Sequence, residues 1–136
     1  MRTLLGMADH SLLQLGKPTD VWALGCILYQ MVYNLLPFSS FTNHPAKVSA
    51  IISPKYQISY PPSSEPVLSN LPPDEAERRK QEMSSPVDPV AVEVMRWCHG
   101  RNEKDRPDIE QLMDHDFLKP WKRASPWWPR GSRQLY

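Results

Sequence analysis

The stretch from Lys17 to Phe38, KPTDVWALGCILYQMVYNLLPF, decides how this chain is read. Between Val21 and Tyr33 only Gly25 and Gln30 interrupt an apolar run. A helix on the surface of a small domain keeps a polar face opposite its apolar stripe, and this one has none. It belongs inside a bundle, so the remaining sequence must be searched for elements that surround it. The run is also too short for a bilayer, which takes about 20 apolar residues to cross.

The chain has 136 residues, 40% hydrophobic and 23% charged, the balance of one globular domain. A formal net charge of +1 gives no overall attraction to nucleic acid or a membrane surface. The two cysteines, Cys26 and Cys98, lie among apolar residues and read as buried free thiols of an intracellular protein. The opening segment, MRTLLGMADHSLLQLG, has a short apolar run without a small-residue cleavage site, which argues against a secretory signal.

Local signals outline the helices. Thr19 reads as the N-cap of the apolar helix, with Asp20 placing negative charge in the first turn, where the helix dipole favours it. That helix should end near Tyr33 or Asn34, before Pro37. Asn43-His44-Pro45 starts a second helix that runs through Ile52 and stops at Ser53-Pro54. The segment YQISYPP reads as extended. Asp88-Pro89 opens a further helix, with Val90, Ala91, Val94, Met95 and Cys98 on one stripe, Glu93 and Arg96 opposite, and Gly100 as the stop. Another begins at Asp108, whose spacing to Gln111 is that of a capping box, with Ile109, Leu112, Met113 and Phe117 on one face. Leu4, Leu5, Leu12, Leu13 and Leu15 have the makings of a short helix ahead of all these. The fold class is all-α, four helices around one unusually apolar one.

Two regions differ in composition. Residues 62–86 lie between proline- and serine-rich flanks, PPSSEPVLSNLPP and SSPVDP, and their middle, DEAERRKQEM, is polar on every side. This is read as a mobile surface insertion whose middle is at most a solvated helix. After Asp116 no acid remains, and KPWKRASPWWPRGSRQLY holds five basic residues and three of the five tryptophans. The division is therefore a divergent segment at 1–16, a helical domain at 17–120 with the insertion inside it, and a basic, Trp-rich tail at 121–136.

Two blocks carry a family resemblance. The series Thr19-Asp20-Val21-Trp22-Ala23-Leu24-Gly25-Cys26-Ile27-Leu28-Tyr29-Gln30-Met31, followed by Pro37-Phe38, resembles the central helix of the eukaryotic protein kinase C-terminal lobe. Arg101–Leu118, RNEKDRPDIEQLMDHDFL, is similar to the segment that closes that lobe, DPxxRPTxxELLxHPF. The stretch Ala50–Pro61, AIISPKYQISYP, together with GCILYQMVY, looks like the monopolar spindle checkpoint kinases, a dual-specificity group. The resemblance covers about residues 14–61 and 86–120. It implies a partial, incomplete C-terminal lobe in which the central helix is wrapped by the rest of the lobe.

By the same resemblance Asp20, Trp22, Gly25 and Arg106 are structural residues. Asp20 would hydrogen-bond the backbone of a catalytic loop, and Arg106 would pair with the glutamate of an APE-type motif. In this chain Arg106 is then expected to be solvated or paired with Asp108 or Glu103. The family's cofactors are ATP and magnesium, but the parts that hold them are not in this sequence. Its glycines stand at positions 6, 16, 25, 100 and 131, so no GxGxxG loop exists to cover phosphates. No VAIK strand, HRDxxxxN loop, DFG or APE motif is present. No catalytic, cofactor-binding or metal residue is assigned. Cys98-His99 with His115 is a weak metal pattern, since no second CxxC or HxxxH accompanies it.

Two functions remain in view. One is the lobe portion of a Ser/Thr or dual-specificity kinase acting at the nucleus or kinetochore, inactive by itself. The other is a non-catalytic interaction module built on a kinase lobe. Either is expected to need a protein partner, the rest of a kinase domain or a chaperone, because residues 1–16 are too short to cover the apolar helix. An exposed apolar patch is the expected consequence. Neither a membrane nor nucleic acid is an expected partner.

Overall fold

The computed structural model describes residues 16–124. Its elements in order are α1 (Lys17–Tyr33), α2 (His44–Ile52), β1 (Ser63–Ser64), α3 (Pro73–Met83), β2 (Ser85–Pro86), α4 (Pro89–Cys98), a 3₁₀ turn (Glu103–Asp105), α5 (Ile109–Met113) and α6 (Lys119–Ala124). The helix considered for the leucines before Gly16, and the tail beyond Ala124, lie outside the described residues.

Helix α1 begins three residues earlier than the Thr19 cap predicts. Gly16 is the N-cap and makes no side-chain cap bond. The reason is Pro18: proline lacks an N–H that the first turn would leave unpaired anyway, so it sits inside the helix start rather than ahead of it. Asp20 remains in the first turn. At the other end Asn34 takes the left-handed conformation, φ 59°, and its N–H donates to the Gln30 carbonyl at 2.9 Å. Asparagine tolerates this region better than other residues with a Cβ.

The helix buries Val21, Gly25, Tyr29 and Tyr33. A spacing of four keeps them on one face. That face packs on the stripe Ala91, Val94, Met95 and Cys98 of α4. The core has two neighbouring parts, one of Val21, Val94, Cys98 and Leu112, the other of Tyr29, Tyr33, Ala91 and Met95, with Leu28 and Phe117 against both. The other sides of α1 are not wrapped: Leu24, Ile27 and Met31 are exposed among the described residues. Four surrounding helices were expected, but the packing on α1 comes from α4 and α5, while α2 buries only Ala50.

The caps of the later helices follow their sequence signals. Asn43 Oδ1 accepts from Ala46 N at 3.1 Å, and Asp88 Oδ1 from Val90 N at 2.8 Å. Asp108 and Gln111 form a complete capping box. Of the α5 face, Leu112 is buried, but Ile109 is exposed. The helix is only five residues long, less than two turns, so it cannot present the long stripe that periodicity suggested.

The insertion holds α3, which buries no residue and carries a Glu75–Arg79 pair at 3.0 Å. Its solvated helix matches the polar middle of the sequence. The sequence did not announce the closure at its base. There β1 and β2 pair antiparallel, Ser63 opposite Pro86 and Ser64 opposite Ser85. Tyr29 and Tyr33 of α1 donate their hydroxyls to the Ser59 and Pro61 carbonyls, both at 2.9 Å.

Candidate functional site: the Trp22–His99–Arg106 junction

Four residues were singled out by sequence, and three of them meet where the N-terminal half of α1 crosses the end of α4. Gly25 explains the close approach. A Cβ there would stand 2.7 Å from Cys98 Cβ and 2.8 Å from His99 Nε2, closer than real Cβ contacts come. Glycine weakens a helix interior by up to about 1 kcal/mol relative to alanine; here it lets two helices touch.

Trp22, three residues earlier, is half-buried on the same flank. Its ring meets the His99 ring edge-on, centroids 5.0 Å apart. The guanidinium carbons of Arg106 and Arg101 lie 4.9 Å and 5.6 Å from the Trp22 ring. Stacked guanidinium on indole is the favourable form of a cation–π contact.

Arg106 is half-buried at the edge of an open cleft and, among the described residues, makes no ion pair with Asp108 or Glu103. Its Nε donates to the Gly100 carbonyl and its Nη1 to the Pro18 carbonyl, both at 2.8 Å. One side chain thus ties the start of α1 to the end of α4. The planar fork of arginine suits two carbonyls at once, which a lysine would not span. Arg101 does the same nearby, donating to the carbonyls of Ile51 and Tyr56 and so holding the connection after α2. Asp20, the fourth residue, is exposed in the first turn of α1 and stands apart from this junction.

Sequence reasoning missed a part-buried polar chain, and of the two cysteines expected to be buried only Cys98 is, Cys26 being half-buried. His99 is buried, with Nε2 3.5 Å from Cys26 Sγ and Nδ1 2.8 Å from the Tyr60 hydroxyl. A neutral imidazole has one N–H and one lone pair, so it donates to one neighbour and accepts from the other. Burial, reinforced by the charges of Arg101 and Arg106, pulls the His99 pKa down to about 4. Burial pushes the Cys26 thiol up, and Cys98 to about 11. It also raises Tyr60, partly offset by Arg96. The trio is neutral near pH 7 and holds a thiol, not a thiolate, so it has the geometry of a relay without an activated nucleophile. The only hint in the sequence was a histidine directly following an apolar stripe.

The metal pattern does not assemble. His115 lies by Glu93, its Nε2 3.7 Å from the carboxylate, while His99 is engaged with Cys26 and Tyr60. No group of three or more metal-ligating side chains converges among the described residues. Two clefts border the junction. One of about 450 Å³ is lined by Thr19, Trp22, Ile51, Ile52, Arg101 and Arg106. Another, of about 350 Å³, lies beside Tyr60, Arg96 and His99. No described helix is long and apolar enough to cross a membrane.

Comparison with known proteins gives this arrangement a family. Residues 8–118 match the protein kinase domain model. The chain is 36% identical over 107 residues to the probable serine/threonine-protein kinase mps1 of Dictyostelium discoideum, covering 79% of this chain and 8% of that protein. It is 38% identical over 112 residues to the serine/threonine-protein kinase mph1 of Schizosaccharomyces pombe, covering 80% and 15%. The dual specificity protein kinase Ttk of Danio rerio is 33% identical over 107 residues, covering 79% and 9%. The chain therefore spans a small fraction of the length of these relatives. The helical core and the matched span agree: the chain belongs to the protein kinase domain family, as a helical C-terminal-lobe portion of an Mps1-like kinase.

Proposed function

We propose that this chain is the structural floor of an ATP-dependent protein kinase of the spindle checkpoint type, acting on protein serine or threonine and on tyrosine in the dual-specificity manner, at the nucleus and kinetochore. By itself it does not catalyse phosphoryl transfer. The observation that carries the reading is the junction of α1 and α4. Its family-matched residues Trp22, Gly25 and Arg106 all serve to fix backbone, and none is placed to take part in proton or phosphate chemistry. Asp20, exposed at the start of α1, is available to hold a catalytic loop supplied by another part of the kinase. Arg106 spends two of its three nitrogens on carbonyls and lines the cleft beside Trp22, where the glutamate of an APE-type motif would reach it.

The chain is expected to bind neither ATP nor magnesium, since its sequence has no phosphate loop, phosphate-binding lysine strand or metal-holding aspartate motif. Titration with ATP and magnesium, followed by calorimetry, checks this. The expected result is no saturable heat at micromolar nucleotide; saturable micromolar binding overturns the reading.

A second reading, a non-catalytic interaction module, is supported by one observation. Leu24, Ile27, Leu28 and Met31 of α1 line an apolar groove of about 220 Å³ with Phe117 and Leu118. Whether the reading frame upstream of Met1 encodes GxGxxG, HRD and DFG motifs separates the two: their presence favours the kinase, and a natural message that starts at Met1 favours the module.

A further inference from the structure

We propose that the trough between the Tyr56–Tyr60 connection and the C-terminal half of α4 binds an acidic peptide segment of a partner protein. The trough is lined by Tyr56, Ile58, Tyr60, Arg96, His99 and Arg101, and no carboxylate lines it. Pro54 and Arg101 also line the neighbouring cleft beside Trp22 and Arg106. In a chain with 16 basic and 15 acidic residues, two arginines, Arg96 and Arg101, facing one trough that no acid lines is a local excess of one sign. A cleft of one sign with low-dielectric walls concentrates its field on a ligand of the opposite sign.

The arginines are held ready. The Arg96 guanidinium carbon lies 4.7 Å from the Tyr60 ring centroid. Arg96 has no hydrogen bond or ion pair among the described residues, so its five N–H donors remain for a ligand. The Tyr60 ring is fixed in turn by its hydroxyl, which bonds His99 Nδ1. Arg101 is anchored by two backbone carbonyls and keeps further donors. A fork already fixed by a ring or a backbone loses less freedom on gripping a carboxylate than a free one.

Two features choose a peptide over a nucleic acid. Single-stranded nucleic acid needs open aromatic faces for its bases. Here Arg96 covers Tyr60, and Arg101 and Arg106 lie over Trp22. The rim is apolar instead: Ile51 and Ile52 are both exposed beside the cleft. Carboxylates in the trough with an aliphatic side chain on Ile51 and Ile52 fit both halves of the surface.

The test uses the full chain and a fluorescein-labelled peptide of alternating glutamate and leucine, with the glutamine–leucine peptide as its control, read by anisotropy. The glutamate peptide is expected to bind saturably, more tightly than the control, and to weaken with salt. Arg96→Gln should weaken it by about tenfold, the loss of one charge-assisted pair. Arg96→Lys should recover part of that loss, because it keeps the charge without the fork. Arg79→Gln, on α3 and outside the trough, should change nothing. Equal binding of the two peptides, indifference to both Arg96 variants, or tighter binding of a labelled single-stranded oligonucleotide overturns the proposal.

Discussion

Two methionines mark the difference between the two sides of the α1–α4 pair. Met95, on the face of α4 that meets α1, is 0% exposed; Met31, on the far face of α1, is 75% exposed. Both lie in helices of strongly apolar composition, so composition alone does not separate them. The α1–α4 seam is closed because each helix brings a stripe at spacing four, and because Gly25 removes the atom that would hold the helices apart. The far face is equally apolar and has no described element over it. Apolar character in a sequence states what a helix needs; only the rest of the fold states whether it is met.

The largest expected effect tests the closed side. Met95→Ala removes a fully buried side chain and leaves a cavity, which typically destabilises by about 2–5 kcal/mol. Met31→Ala removes the same atoms from an exposed site and should stay within about 0.5 kcal/mol. Paired urea denaturation of the two variants reads the difference. Equal shifts in midpoint would show that the two sides are covered alike, and would break the comparison.

The seam should also be sensitive to acid. His99 binds its proton with a pKa of about 4 in the folded chain, against the ordinary 6.5. The unfolded chain therefore binds more protons between these values, so stability is full above about pH 6.5 and falls as pH drops toward 4. Two to three pKa units correspond to about 3 kcal/mol. Thermal melts across pH 7 to 4 should decline in the parent and flatten in His99→Gln. A parent melt that stays level over that window, or a variant that declines just as steeply, would show that His99 is not the buried neutral group of the junction.

Much of this was legible in the sequence where the chemistry is local. Asn43, Asp88 and the Asp108–Gln111 pair announce their helices because a cap is a donor and an acceptor at fixed spacing. The stripe of α4 is legible for a related reason, since one face repeats with the helix. The start of α1 was misplaced by three residues because Pro18 is compatible with either side of the boundary. The partners of Arg106 were not legible: the Pro18 carbonyl is 88 positions away, and any backbone offers carbonyls, so no residue type marks the one chosen. The same holds for the Cys26–His99–Tyr60 chain, whose members lie 73 and 39 positions apart. The family resemblance singled out Trp22, Gly25 and Arg106, and these meet at the junction, where Arg106 holds two carbonyls.

The smallest expected change in stability falls on the open side, and it carries the largest expected change in behaviour. Leu24, Ile27 and Met31 are 45%, 54% and 75% exposed and adjoin the groove that runs to Phe117 and Leu118. Contiguous apolar surface of this kind drives association in water, while substitution of exposed positions moves folding stability little. The double substitution Ile27→Lys with Met31→Lys should therefore leave the urea midpoint almost unchanged, lower the binding of a hydrophobic dye, and shift the chain from aggregates toward monomer in size exclusion with light scattering. Two lysines also raise the net charge, which by itself improves solubility, so the comparison needs a control of equal charge: Glu77→Lys on the exposed α3, which buries nothing. If that control disperses the chain as well as the α1 pair does, charge alone accounts for the change and the open face of α1 is not the sticky surface. If the parent already runs as a monodisperse monomer that ignores the dye, the open face is covered in solution.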